Sequence, residues 1–306
     1  MQVVITCFFN PSKCQMRLNN YKIFHEHIKR AKIDLFTIEI ANYDDKFCLS
    51  ALDSTYIKQI KTKDVMFQKE RMLNIALDLL HEKYKEVIWM DCDLFYFEDD
   101  WAERISESLQ HYVVSQPYMQ AISLPKSEFS YYDLNQTNFF NCYGSGRIKR
   151  SYAYYKSKKN SFDNFHHGHV GYVWAARREF LDKHKFYDPI INGAGDLFML
   201  MAFSGQFGWL DYPEQLKGYD MGAAAHFFDW GFPVYKETKG KIGYTNDVIY
   251  HIWHGEIEKR DYLESCRVLQ VNKFNPNFDL KMNKDLCWEW ASDKPDLHRS
   301  IKEILF

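Results

Sequence analysis

The stretch Glu86-Val87-Ile88-Trp89-Met90-Asp91-Cys92-Asp93 constrains the fold most, because an apolar run of strand length ends in two carboxylates one residue apart. In an extended segment residues i and i+2 face the same side, so Asp91 and Asp93 present their oxygens together just past the end of a buried strand. Paired carboxylates favour Mg²⁺ or Mn²⁺, which keep open positions for phosphate oxygens, and open α/β sheets bind ligands at the carboxyl ends of their strands. The feature points to metal-assisted chemistry on a phosphorylated substrate.

What precedes this strand fits a parallel sheet with helical crossovers. Val3 to Phe9 reads as a first strand, Leu18, Tyr21, Phe24, Ile28 and Ala31 recur at helical spacing, and Leu35 to Ile40 reads as a second strand. Asp64 through Tyr84 reads as a helix with Met72, Leu73, Ala76, Leu79 and Leu80 on its apolar face, and it leads into the strand that ends at Asp91. Asp100-Trp101-Ala102-Glu103 has the form of a capping box, which makes Asp99 and Asp100 helix-start residues rather than extra metal ligands. The expected organisation is one compact α/β unit. Residues 1–116 form a first half that ends after the carboxylate-bearing strand in this reading, residues 117–165 an irregular insertion, and residues 166–306 a second half with a C-terminal extension. The basic runs Arg147 to Arg150 and Lys156 to Lys159 in the insertion read as a solvated face.

Bulk properties exclude several functions. A net charge of −2 gives no basic footprint for extended nucleic-acid or anionic-membrane binding. The seven cysteines are scattered without a C-x-x-C pair, so reduced thiols in a cytoplasmic compartment are expected rather than a disulfide framework or a zinc knuckle. No stretch approaches the ~20 apolar residues of a membrane span.

Four further groups could carry chemistry. Thr6, Phe8 and Asn10 at the end of the first strand, with Glu39 on the second, lie where a doubly wound sheet holds a base and ribose. In Gln68-Lys69-Glu70-Arg71 with Asn74, a cation could neutralise a diphosphate. His169 to Glu179, including Gly171 and Trp174, is followed by Gly193-Ala194-Gly195-Asp196, where Asp196 is either a helix cap or a general base at the floor of a cleft. His251-Ile252-Trp253-His254-Gly255 offers two imidazoles to an ion already held by carboxylates. The His166-His167-Gly168-His169 cluster, by contrast, lacks the cysteines or paired motif of a zinc site. With 17% aromatic residues, the chain also has rings to spare for sugar faces, and Trp174, Trp230 and Trp253 are the expected cleft-lining tryptophans.

Taken in this order, these motifs resemble the GT-A nucleotide-sugar glycosyltransferases, above all those with a galactosyltransferase-like C-terminal half. The resemblance rests on Phe9-Asn10-Pro11, the Gln68 to Asn74 segment, Asp91-Cys92-Asp93, Gly171 to Glu179, Gly193 to Asp196 and His251 to Gly255, and spans nearly the whole chain. It implies a Rossmann-like, mostly parallel central sheet and transfer of a hexose from a nucleotide-diphosphate sugar, with UDP and galactose or glucose favoured, to a hydroxyl on a glycan, glycolipid or glycoprotein. It implies Mn²⁺ or Mg²⁺ on Asp91 and Asp93, with Asp93 the firmer ligand and His251 or His254 completing the set. It implies an inverting mechanism with Asp196 as base. The chain departs from the family in carrying Gly195 where many relatives have Glu, and in having no N-terminal anchor. Two other readings use the same carboxylates or fold: a metal-dependent phosphohydrolase or nucleotidyltransferase, and a non-catalytic carbohydrate-binding relative.

Overall fold

The computed structural model describes residues 1–126, 147–158, 168–207, 220–255 and 262–305. Its centre is a six-stranded sheet of order β3-β2-β1-β4-β9-β6, formed by β1 (Gln2–Phe9), β2 (Asp34–Asn42), β3 (Tyr56–Thr62), β4 (Glu86–Met90), β6 (Val114–Ser115) and β9 (Val173–Arg177). The first four are mutually parallel, and β9 and β6 add an antiparallel edge. This is the α/β, Rossmann-like architecture expected from the sequence.

Both faces of the sheet are covered, which explains why its strands read as unbroken apolar runs rather than alternating ones. Val3, Ile5, Val87, Trp89, Trp174 and Ala176 pack on one face with α2 (Lys69–Leu79). Val4, Ile88, Met90, Val173 and Ala175 pack on the other with α1 (Gln15–Arg30) and α3 (Trp101–His111). The spacing that predicted α1 is realised, with Tyr21, Phe24 and Ile28 buried. The helix expected over Asp64 to Tyr84 is shorter at both ends, and Leu79 is exposed because the helix stops there. Asp100 flanks α3 without capping it; its carboxylate pairs with Arg104 instead.

β1 is flanked by β2 on one side and β4 on the other, so the strand order reverses direction between β1 and β4. A crevice forms outside the carboxyl ends of strands at such a switch point, and Asp91 to Asp93 follow β4 directly into it. A second sheet of order β5-β10-β7-β8 closes the far side, made of β5 (Leu94–Tyr96), β7 (Gln120–Ser123), β8 (Arg147–Arg150) and β10 (Val248–His251). The basic run Arg147 to Arg150 is thus an edge strand, followed by α4 (Tyr152–Lys158), and the stretch expected to be irregular holds β7, β8 and α4 in its described part. His166 and His167 lie outside the described residues.

The remaining helices are α5 (Arg178–His184), α6 (Gly195–Ser204), α7 (Met221–Thr238), α8 (Tyr262–Val271), α9 (Pro276–Asp279) and α10 (Pro295–Leu305), with a hairpin of β11 (Leu280–Met282) and β12 (Trp288–Trp290). None of the described helices is long and apolar enough to cross a membrane. The hairpin fixes the start of α2: the Gln68 side chain donates to Trp288 O at 3.1 Å and accepts from Trp288 N at 2.7 Å. Gln68 is buried, so Gln68→Ala strands both backbone groups; a loss of about 1–3 kcal/mol is expected, measurable by chemical denaturation.

Candidate active site

Two clusters meet in the crevice at the end of β4. The first joins the D-x-D turn to the histidine strand. β10 runs antiparallel to β5 with His251 opposite Leu94, and Ile252 N donates to Asp93 O at 2.9 Å, so the backbone itself seats the histidines beside the carboxylate. His254 Nε2 lies 3.1 Å from Asp93 Oδ2 and 3.2 Å from His251 Nε2, and His251 Nε2 lies 3.7 Å from the same carboxylate oxygen. Adjacent ligands about 2.1 Å from a metal ion sit about 3 Å apart, so these spacings suit a common ion with little rearrangement. Two imidazoles with one carboxylate favour Mn²⁺ or another transition metal over Mg²⁺, which prefers oxygen. These three residues form the only such group among the described residues.

Asp91, expected to share the metal, is turned elsewhere. It belongs to a second cluster in which Lys69 Nζ bridges Asp91 Oδ1 at 2.7 Å and Asp196 Oδ2 at 2.9 Å. Asp196 sits in the first turn of α6, whose flanking residue is Ala194; Asp196 is therefore not the cap that a local reading allows. Lys69 opens α2, so the cluster ties the starts of two helices to the end of β4. Burial alone would strip Lys69 of its proton, but Asp196 and Asp91 hold it firmly charged. Asp91 is displaced above the usual carboxylate range by burial, against the pull of Lys69.

Two glycines make this approach possible. A Cβ on Gly171 would lie 2.6 Å from Asp196 Oδ2, and a Cβ on Gly195 would collide with the Glu70 carboxyl group. Glu70 thus fills the space that a side chain at position 195 would occupy. It is buried, its Oε2 has no hydrogen-bond partner, and burial pushes its carboxyl up to about 8, so it carries a proton at neutral pH. The half-buried Cys7 thiol nearby is pushed up to about 12, also by burial.

Several expected ligand contacts are corrected by burial. Thr6 donates to Met90 O at 2.7 Å and ties β1 to β4, Phe8 is a core residue packed edge-on to Tyr21, and Trp174 is core, stacked on Trp89 with its indole N–H on Val170 O. Glu39 is equally closed off, accepting from Cys48 N, Leu49 N and Gln59 Nε2, so it anchors a loop instead of a ribose. Asn10 brackets Cys14 through both its amide atoms and shapes the turn into α1. Asn74 bonds Phe186 and Asp188 on the other side of α2. Trp230 donates to His184 O, away from the crevice, whereas Trp253 lies under Lys126. Arg260, beyond the histidine motif, lies outside the described residues.

The structure also gives a place to residues that the sequence marked only as part of the His169 to Glu179 segment. Tyr172 has φ of 82°, a strained value for a large side chain, and its carbonyl accepts from Asp91 N at 2.9 Å. Its ring stacks on His169 at 3.7 Å and tilts against His251 at 5.1 Å, and Lys149 on β8 lies over it. Burial, and Lys149 beside it, keep His169 neutral. Backbone strain of the kind at Tyr172 is invisible in sequence.

No family model matches the chain, and no curated protein matches it. Among solved structures, it is similar to TarS 1–349 of S. aureus in complex with UDP-GlcNAc, at 11% identity and a TM-score of 0.42, covering 88% of this chain and 65% of that one. It is similar to the catalytic domain of Drosophila β1,4-galactosyltransferase 7 in complex with xylobiose, at 11% identity and a TM-score of 0.37, covering 92% of this chain and 86% of that one. It is also similar to Mycobacterium tuberculosis glucosyl-3-phosphoglycerate synthase in complex with Mn²⁺, UDP-glucose and phosphoglyceric acid, at 11% identity and a TM-score of 0.43, covering 89% and 78%. The chain spans just under two thirds of the TarS chain.

The proton on Glu70 has a consequence for stability. Its folded-state value lies above the ordinary 4.5, so the folded protein binds that proton more tightly than the unfolded chain does. The associated stabilisation is present below 4.5 and is lost as pH rises towards about 8. Glu70→Gln cannot ionise. It should melt close to wild type near pH 5 and above it at about pH 8 to 9, as read from thermal unfolding across pH.

Proposed function

We propose that the protein is a metal-dependent glycosyltransferase that moves a hexose from a nucleotide-diphosphate sugar, UDP-linked, to a hydroxyl of a glycan, glycolipid or glycoprotein acceptor, with inversion. The observation that carries this reading is the convergence, at the switch point of a Rossmann-like sheet, of a carboxylate and imidazole trio beside a second carboxylate cluster held by one lysine. Asp93, His251 and His254 would hold the divalent ion, which supplies charge neutralisation to a departing nucleoside diphosphate.

The protein's own groups account for the rest of the step. Asp196 Oδ2 lies against Gly171 and its Oδ1 has no hydrogen-bond partner among the described residues, so in this reading the carboxylate accepts the proton of an acceptor hydroxyl. Lys69 is charged and already in contact with Asp91 and Asp196; a diphosphate entering beside Asp91 gains about 4 kcal/mol from a unit charge at ~4 Å and an effective dielectric near 20. Inversion follows if Asp196 delivers the hydroxyl from the face of the sugar opposite the diphosphate. Gly171 leaves room for Asp196 Oδ2 beside it, and Gly195 leaves the space that the Glu70 carboxyl fills. A phosphohydrolase or nucleotidyltransferase would use the same carboxylates but would have no need of Asp196 as a base towards a sugar hydroxyl.

The test is nucleoside-diphosphate release from UDP-, GDP- and TDP-sugars with Mn²⁺, with Mg²⁺ and with chelator, in the presence of an acceptor panel. Release from one donor, greater with Mn²⁺ than with Mg²⁺, is expected; release of inorganic phosphate or pyrophosphate instead would overturn the assignment. Asp93→Ala should lose Mn²⁺-stimulated turnover by more than the about 10- to 100-fold that even outer partners of a metal site cost. Asp196→Asn should bind donor normally and transfer about 10²- to 10⁴-fold more slowly, which separates base catalysis from donor binding.

A further inference from the structure

A cavity with a few polar groups in its lining lies on the other side of α2 from the transfer site, between the segment 184–189 and α7. Its volume is about 210 Å³. That is below the roughly 300–1,000 Å³ of sites that bury a drug-sized ligand, and it suits one ring rather than a nucleotide or a peptide. Lys69 points to Asp91 and Asp196, whereas Arg71 and Asn74, two and five residues further along α2, point into this cavity. Asn74 therefore lies about 7.5 Å along the helix axis from Lys69.

The polar lining is built and only partly used. Arg71 Nη1 and Asn74 Nδ2 both donate to the same oxygen of Asp188, Oδ2, at 2.7 Å each. Arg71 is more than nine-tenths buried, with 8% of its surface exposed, yet its Nε has no acceptor among the described residues. The cavity thus offers a charged donor and a charged acceptor side by side. An anion there would meet Asp188, and a cation would meet Arg71, while Lys185 is already paired with Asp78 at 2.5 Å. A neutral ligand with neighbouring hydroxyls satisfies both, one hydroxyl accepting from Arg71 and the next donating to Asp188. The other wall is aromatic: Tyr187 and Trp230 have ring centroids 5.1 Å apart, and His226 bonds the Tyr187 hydroxyl at 3.2 Å. Such rings pack on the C–H face of a sugar.

We propose that this cavity is a carbohydrate-binding site, separate from the transfer site, that holds one neutral pyranose residue between the Arg71–Asp188 pair and the Tyr187–Trp230 wall. The site does not require the transfer reaction, and its occupant can be a terminal residue of a glycan that is not being extended.

The test is ligand-observed NMR on the whole chain with four probes: the methyl glycosides of β-glucose, β-galactose, β-N-acetylglucosamine and α-mannose. At least one should bind wild type, and Trp230→Leu and Asp188→Asn should each weaken it about 10-fold or more, the cost of a lost hydrogen-bonded charge or ring contact. Asp93→Ala, which disables the other site, should bind as wild type does. Because Asp188→Asn leaves Arg71 with a neutral partner and can unfold the chain, a diazirine-bearing version of the bound glycoside is also to be crosslinked to wild-type protein. Labelled peptides should carry Tyr187 or Trp230. Binding of none of the four glycosides, binding retained in folded Trp230→Leu but lost in Asp93→Ala, or label confined to peptides containing Asp93 or His251 would each overturn the proposal.

Discussion

The Lys69 ammonium, buried between Asp91 and Asp196, is the interaction on which the rest of the site depends. A charge taken out of water is tolerated only when it is paired and hydrogen-bonded, and this one is paired twice. The two contacts lock three separate pieces of chain together: the turn after β4, the start of α2 and the start of α6. Their cost is visible in the neighbours. Glu70 must keep its proton, and Gly171 and Gly195 must stay without side chains so that the carboxylates can come close.

Around this lock, two sheets divide the labour. The parallel sheet supplies the crevice through its reversal of strand order, and the smaller sheet supplies the imidazoles through β10, whose pairing with β5 carries His251 to the end of the D-x-D turn. The result separates the two aspartates of the motif. Asp93 faces the imidazoles and Asp91 faces the lysine, so each belongs to a different charge environment although only one residue lies between them. Strained Tyr172 sits where the two environments touch, bonded to Asp91 through its backbone and packed on His251 through its ring.

The C-terminal hairpin acts on the same machinery from outside. Its Trp288 backbone holds Gln68, the residue before Lys69, and its Trp288 indole donates to Asp188 O at the edge of the second cavity. One residue thereby couples the position of the lysine to the wall of the cavity, and α2 becomes a shared partition between them.

The sequence by itself determined the sheet strands, the carboxylates after β4 and the histidine motif, because strand-length apolar runs and motif spacing are local properties that burial on both faces enforces. Asp93, His251, His254, Lys69 and Asp196 were legible for that reason. What only the tertiary structure decided is which polar residues reach solvent and which meet each other. Thr6, Phe8, Glu39 and Trp174 look like ligand contacts along the chain but are consumed by the core or by loop anchoring. Asp91 parts from Asp93 because Lys69, remote in sequence, offers it a closer opposite charge. Glu70 beside Gly195 could not be foreseen either, since a buried carboxyl filling the space of an absent side chain is a matter of packing between two helices, and neither helix encodes it alone.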